Sequence, residues 1–105
     1  MILYNVTISI DPAIQHEWVD WMRSKHIPDV LETGCFTESR LSRIQGEEEG
    51  GVTFSVMYFS PSEELYNQYQ SEHAPRLQAE HSALFAGKFA AFRTVLSVIE
   101  EFKKD

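Results

Sequence analysis

A chain of 105 residues has room for a single domain, residues 1–105, with a small core of its own. It is 43% hydrophobic and 24% charged, an ordinary composition for a folded protein, and 9 basic against 16 acidic residues leave a net charge of −7. That charge repels phosphate backbones and anionic lipid heads, which sets nucleic acid and membrane surfaces aside as partners.

Residues 2–10 open the chain with strict alternation. Ile2, Tyr4, Val6, Ile8 and Ile10 fall on one face, and Leu3, Asn5, Thr7 and Ser9 on the other. β-Branched and aromatic residues at period two read as a strand buried on at least one side. Met1-Ile2-Leu3-Tyr4 carries no basic segment of a signal peptide, and no apolar run approaches the ~20 residues that span a bilayer. Asp11-Pro12 supplies a cap acceptor and a proline suited to a first helical position. Ile14, Trp18, Trp21 and Met22 then follow at helical spacing.

Gly34 is expected to stop this helix. Cys35, the one cysteine, excludes an intrachain disulfide, suits a reducing, cytoplasmic setting, and reads as a small buried hydrophobe. A second strand is expected over about Thr37–Gln45, an acidic hairpin turn over Glu47–Gly51, and a third strand over Val52–Phe59. Ser60-Pro61-Ser62-Glu63 reads as a capping box. Leu65, Tyr66, Tyr69 and Leu77 mark a second helix running past Leu84, and a last strand spans about Phe92–Ile99. The order is β-α-β-β-α-β, the ferredoxin-like α+β arrangement. It predicts a four-stranded antiparallel sheet with two helices on one face.

Both helices should cover the sheet face that carries Tyr4, Val6, Ile8, Phe54, Val56 and Tyr58. The opposite face presents Asn5, Thr7, Ser9, Thr53, Ser55 and Met57, none of them charged. A solvated antiparallel face carries Lys and Glu, so this one is expected to bury itself against a second copy of the chain. RNA-recognition domains of the same topology display aromatic and basic residues there, and this chain does not.

A pentad occurs twice: Ser24-Lys25-His26-Ile27-Pro28 and Ser71-Glu72-His73-Ala74-Pro75. Each follows a pair of aromatics three residues apart, Trp18/Trp21 and Tyr66/Tyr69. Each proline removes a helical hydrogen bond, so a kink or a fresh turn is expected beside each histidine, with the preceding serine available to bond freed backbone. His26 lies four after Met22 and eight after Trp18; His73 lies four after Tyr69 and seven after Tyr66. If the helices hold that far, both imidazoles continue the apolar stripe toward the sheet. A structural histidine satisfied by backbone is one reading. The other is a proton donor or acceptor facing a cleft, which suits a side chain with an unperturbed pKa of about 6.5.

His16, His26, His73 and His81 show no HxxxH or HExxH spacing, so no metal site and no cofactor is expected. Arg40, Arg43 and Arg93 sit on strands, where an anion could be met, although surface or interface pairing is the expectation.

Tyr4-Asn5-Val6-Thr7, the stretch from Trp18 to Pro28, Gly50-Gly51-Val52-Thr53, His73-Ala74-Pro75 and Lys88-Phe89 through Ala91-Phe92-Arg93-Thr94 together resemble a bacterial family known only as a domain of unknown function. The resemblance covers nearly the whole chain. More distantly the chain is similar to the dimeric α+β-barrel superfamily, which includes antibiotic-biosynthesis-type monooxygenases, muconolactone isomerases, EthD-like proteins and rhamnose mutarotases. Several members place a His-x-Pro where this chain has His26-Ile27-Pro28. The resemblance implies a homodimer whose sheets close a barrel, with a small-molecule pocket between helices and sheet in each subunit. On that basis two functions are carried forward. One is a cofactor-independent enzyme of isomerase or monooxygenase type, with His26 as acid or base, Tyr4 orienting or donating, and Trp21, Tyr58 and His73 on the ligand. The other is a non-catalytic ligand-binding or dimerisation module with structural histidines.

Overall fold

The structure, a computed structural model, describes residues 1–46 and 51–105. Four strands form where the alternation lies: β1 (Ile2–Ile10), β2 (Glu38–Arg43), β3 (Val52–Ser60) and β4 (Phe89–Ser97). They pair antiparallel in the order β2-β3-β1-β4. The helical connections are α1 (Gln15–Trp21) with α2 (Ile27–Glu32), and α3 (Glu63–Glu72) with α4 (Ala74–Phe85). This is the ferredoxin-like α+β fold, with each of its two helices broken once.

The register puts Tyr4 opposite Tyr58, Val6 opposite Val56 and Ile8 opposite Phe54. All but half-buried Val6 are buried beneath the helices, together with Trp18, Met22, Val30, Tyr69, Leu77 and Phe85. Cross-strand neighbours on one face sit within side-chain reach, so these pairs fix the register by packing as well as by the ladder.

The chain enters α1 as its residues dictate. Asp11 Oδ1 accepts from the Ala13 N–H at 2.9 Å, and Pro12 opens a short 3-10 turn, Pro12–Ile14. Gly34 ends α2 at φ +78°, a conformation a side chain would oppose. Cys35 beyond it is fully buried.

Some boundaries differ from the sequence reading. The second strand is shorter at both ends than Thr37–Gln45. The turn at Glu47–Gly51 falls, apart from Gly51, outside the described residues. The cap of α3 is Ser62, whose Oγ accepts from the Leu65 N–H at 3.1 Å, and not Ser60. Ser60 is instead the last residue of β3, fully buried, and its hydroxyl donates to the Cys35 carbonyl at 2.9 Å. Pro61 thus lies outside the helix. The last strand starts three residues early, because Gly87 at φ +79° and a Lys88 N–H to Phe85 carbonyl bond turn the chain sharply enough for Phe89 to pair with Ile10 at once.

The two breaks occur at the two His-x-Pro motifs, by different means. Met22–His26 forms a π-helical turn in which the Ile27 N–H reaches back five residues to the Met22 carbonyl, and Pro28 sits in the first turn of α2. A π turn absorbs one surplus residue. In the second copy, α3 simply stops. His73, at φ −124°, closes α3 by bonding the Tyr69 carbonyl and accepts from Leu77 to open α4, with Pro75 in that first turn. Neither serine bonds the carbonyl that its proline frees: Ser24 Oγ donates to Asp20 and Ser71 Oγ to Gln68.

On the open face, Ser55 Oγ donates to Asn5 Oδ1, and Asn5 Nδ2 donates to Thr7 Oγ1 at 2.9 Å. Neighbouring positions on β4 add apolar residues, Phe92 at 64% exposure and Leu96 at 44%. The Arg40 guanidinium stacks over Phe59, 5.3 Å from its centroid.

Candidate functional site

A cavity of about 300 Å³ lies between helices and sheet, at the small end of ligand-site volumes. Its apolar wall comes from Val6, Ile8 and Val56 on the central strands, Phe89 and Ala91 on β4, and Met22 above. Its polar groups are Tyr4, Tyr58, Tyr69, His26, Gln78, His81, Ser82 and Arg93.

The residues expected from sequence are distributed as follows. His26, Tyr4 and Tyr58 line the cavity. Trp21 stands behind it, stacked on His26 with ring centroids 5.2 Å apart and an interplanar angle of 30°. His73 is not on the cavity. Its Nδ1 faces the Arg76 guanidinium at 2.9 Å and its Nε2 lies 4.0 Å from a Glu72 carboxylate oxygen, both on the outer side of the break.

The sequence reading passed over His81 except as one of four imidazoles. It lies one helical turn from Leu77 and from Phe85, and all three are buried, so the i, i+4, i+8 stripe of α4 carries it inward. That stripe was the available signal. His81 Nε2 accepts from the Trp18 indole N–H at 2.9 Å, which joins the first helix to the last. An indole can only donate, so the proton of a neutral His81 must lie on Nδ1. Its ring is edge-on to Phe89 at 4.6 Å and to His26 at 5.9 Å. Burial, followed by His26 and Arg93, pushes the His81 pKa down to about 4.

His26 is held differently. It makes no hydrogen bond among the described residues, and its Nδ1 is buried without a partner. An unsatisfied buried nitrogen costs about 1–3 kcal/mol, so keeping one calls for an explanation. Burial lowers the His26 pKa below its ordinary value of 6.5. The Glu80 and Asp29 carboxylates oppose that shift, while Lys25 and Arg93 reinforce it. Both cavity imidazoles are therefore neutral near pH 7, and His26 is the one with a nitrogen to spare.

Three tyrosines, Tyr4, Tyr58 and Tyr69, line the same cavity. Arg93 Nε donates to the Tyr4 hydroxyl at 3.0 Å, which leaves the Tyr4 O–H free to donate in turn. Tyr4 packs on Tyr66, Tyr58 and Tyr69 with centroids 5.5, 6.0 and 6.1 Å away. Burial raises the Tyr58 and Tyr69 phenols well above their ordinary range, so both remain protonated donors. Arg93 was expected to pair at the surface or an interface. It turns to the cavity because it shares a face with Val6, its partner across the ladder.

No group of three or more His, Cys, Asp or Glu side chains suited to a metal ion occurs among the described residues. No helix among them is long and apolar enough to cross a membrane.

A family model described as a domain of unknown function, DUF4286, matches residues 1–99. The chain belongs to the DUF4286 family. A comparison with curated proteins finds no match. Among solved structures, this DUF4286 chain is similar to a dimeric ferredoxin-like protein from an uncultured marine organism, with TM-score 0.71 and 14% identity over 99% of this chain and 100% of that one. It is also similar to SnoaB, a cofactor-independent oxygenase from Streptomyces nogalater, with TM-score 0.69 and 8% identity over 98% of each chain. A third is an EthD family protein from Bacillus halodurans, with TM-score 0.63 and 13% identity over 97% of this chain and 100% of that one. At these identities the likeness establishes the fold, and fold alone does not carry an activity.

Proposed function

We propose that this DUF4286 chain is a homodimeric small-molecule enzyme that moves a proton at carbon without a cofactor, with His26 as the base. One observation carries the reading: a neutral, unbonded imidazole, His26, lines the same cavity as the Tyr4 hydroxyl. A neutral imidazole removes a proton from an acidic C–H, and a phenol O–H can stabilise the oxyanion that forms on an adjacent carbonyl. His81, with its proton on Nδ1, is a further neutral donor. Trp21 holds the His26 ring by stacking, and Tyr58 shapes the wall.

The same carbanion would serve an isomerisation, by reprotonation elsewhere, or an oxygenation, by reaction with dioxygen. SnoaB is described as a cofactor-independent oxygenase on this fold, which supports including the second route. Dimerisation is supported by the uncharged centre of the open sheet face, by exposed Phe92 and Leu96 beside it, and by the dimeric description of the marine protein. The competing reading is a binding module without chemistry. It draws on the Trp18–His81 bond, which gives one of the two cavity histidines a structural occupation.

Carbon acidity tests the proposal directly. Incubated with 2-tetralone in D2O, the protein should speed deuterium entry at the acidic ring carbon, followed by proton NMR. His26→Gln should lower that rate by about 10²–10⁴-fold while retaining the fold. Binding of the ketone with no catalysed exchange would favour the binding module. Exchange that His26→Gln leaves unchanged would remove His26 from the role.

A further inference from the structure

We infer that the natural ligand of this cavity is an apolar ring that carries a carboxylate, received by the Arg93 guanidinium at the β4 side. The inference rests on the reading of the cavity as the ligand site and adds the chemical class of what enters it. Three observations converge on it.

The first is an uncompensated cation. No carboxylate of the described residues lies within 4.0 Å of the Arg93 side chain, although the chain carries 16 acidic residues and a net charge of −7. Its recorded hydrogen bond goes to a neutral phenol through Nε alone. The two terminal nitrogens of the guanidinium remain as donors, and a guanidinium fork matches a planar carboxylate.

The second is the neighbourhood. The other polar groups of the cavity carry no formal charge: the Tyr58 and Tyr69 phenols are held protonated by burial, the His26 and His81 imidazoles are held neutral by burial, and the Tyr4 hydroxyl, an amide and a serine hydroxyl complete the set. Arg93 is thus the one charged side chain among the described residues that line the cavity, in a protein that is negative as a whole. A single cation suits a monoanion, and the cavity shows no glycine-rich loop or second cation of the kind that phosphate groups require.

The third is position. Arg93 lines the cavity from edge strand β4 and is exposed, whereas Val6, Ile8, Val56 and Phe89 form an apolar floor. A ligand would lay its ring on that floor and leave its charge at the exposed guanidinium, where desolvation costs least.

The test uses the whole chain with 1-naphthoate and its neutral isostere 1-naphthamide, read by NMR titration of the imidazole resonances. Naphthoate should bind, shifting His26 and His81, at least about tenfold more tightly than the amide. Arg93→Gln should weaken naphthoate by about 10-fold or more and change the amide less than twofold, while Arg93→Lys, which keeps the charge and loses the fork, falls between. Equal binding of acid and amide, or of acid to wild type and Arg93→Gln, overturns the inference and leaves the cavity standing as the site. Binding of neither probe, or binding that leaves both imidazoles unmoved, overturns the cavity reading with it. Arg93-dependent binding by a protein that shows no carbon-acid exchange would uphold the acid and sink only the enzyme.

Discussion

The two copies of Ser-x-His-x-Pro share residues and differ in what the fold makes of them. In the first, the aromatic pair stands one residue further from the histidine, eight from Trp18 against seven from Tyr66. The π turn at Met22–His26 absorbs that residue, keeps the backbone helical, and delivers His26 to the cavity against Trp21. In the second, α3 ends at the histidine, and His73 leans toward Arg76 and Glu72 outside the cavity. Its place is taken by His81 eight residues later. The buried member of each pair differs too: Trp18 in one, Tyr69 in the other. A repeat therefore marks equivalent places in the architecture without assigning them equivalent chemistry.

The sharpest way to break this comparison is at the aromatic pairs. Trp18 is fully buried, packs on Phe54 at 5.0 Å and bonds His81. Trp18→Ala should cost about 3–5 kcal/mol in urea denaturation, whereas Tyr66→Ala, at the half-buried counterpart, should cost about 1 kcal/mol. Equal costs would mean that the copies are energetically equivalent after all.

A smaller effect concerns proton uptake. The folded His81 titrates near 4 and His26 below 6.5, whereas unfolded imidazoles titrate near 6.5. Between those values the unfolded chain binds more protons. The stability from these groups is thus complete above about pH 6.5 and is lost as pH falls toward 4. Imidazole NMR should show His81 unprotonated at pH 5.5, and His81→Asn should flatten the pH dependence of stability through that window. Ordinary titration of His81 near 6.5 would contradict the packing described for it.

The smallest effect is expected at His73. Because its polar contacts are with exposed Arg76 and Glu72 and it stays off the cavity, His73→Gln should change stability by less than about 1 kcal/mol and leave the 2-tetralone exchange rate within about twofold. A large loss of exchange would give it the role proposed for His26.

Much of the fold was legible because it rests on local periodicity. The alternation of β1 and β3 identified the covered face residue by residue, and Asp11-Pro12 and Gly34 marked the ends of the first helical region. The capping box read from Ser60 failed because β3 runs on to include that residue, whose hydroxyl bonds the buried Cys35 carbonyl. The early start of β4 rests on the sharp turn at Gly87. The site was less legible. Tyr4, Tyr58 and His26 were placed on the cavity side by face and stripe; His81 lay on the Leu77–Phe85 stripe, but its bond to Trp18 has no local signal, and Arg93 is turned to the cavity by its pairing with Val6.

The sequence by itself determined the βαββαβ order, the split between a packed and an uncharged sheet face, and the positions of both helix breaks. Those features follow from period-two and helical patterns and from proline stereochemistry, which act over a few residues. Tertiary structure alone decided that Trp18 donates to His81, 63 residues away, and that Arg93 meets Tyr4, 89 residues away. It also decided which of the two repeated histidines faces the cavity. Such pairings depend on how helices lie across a sheet, and no local pattern records that geometry.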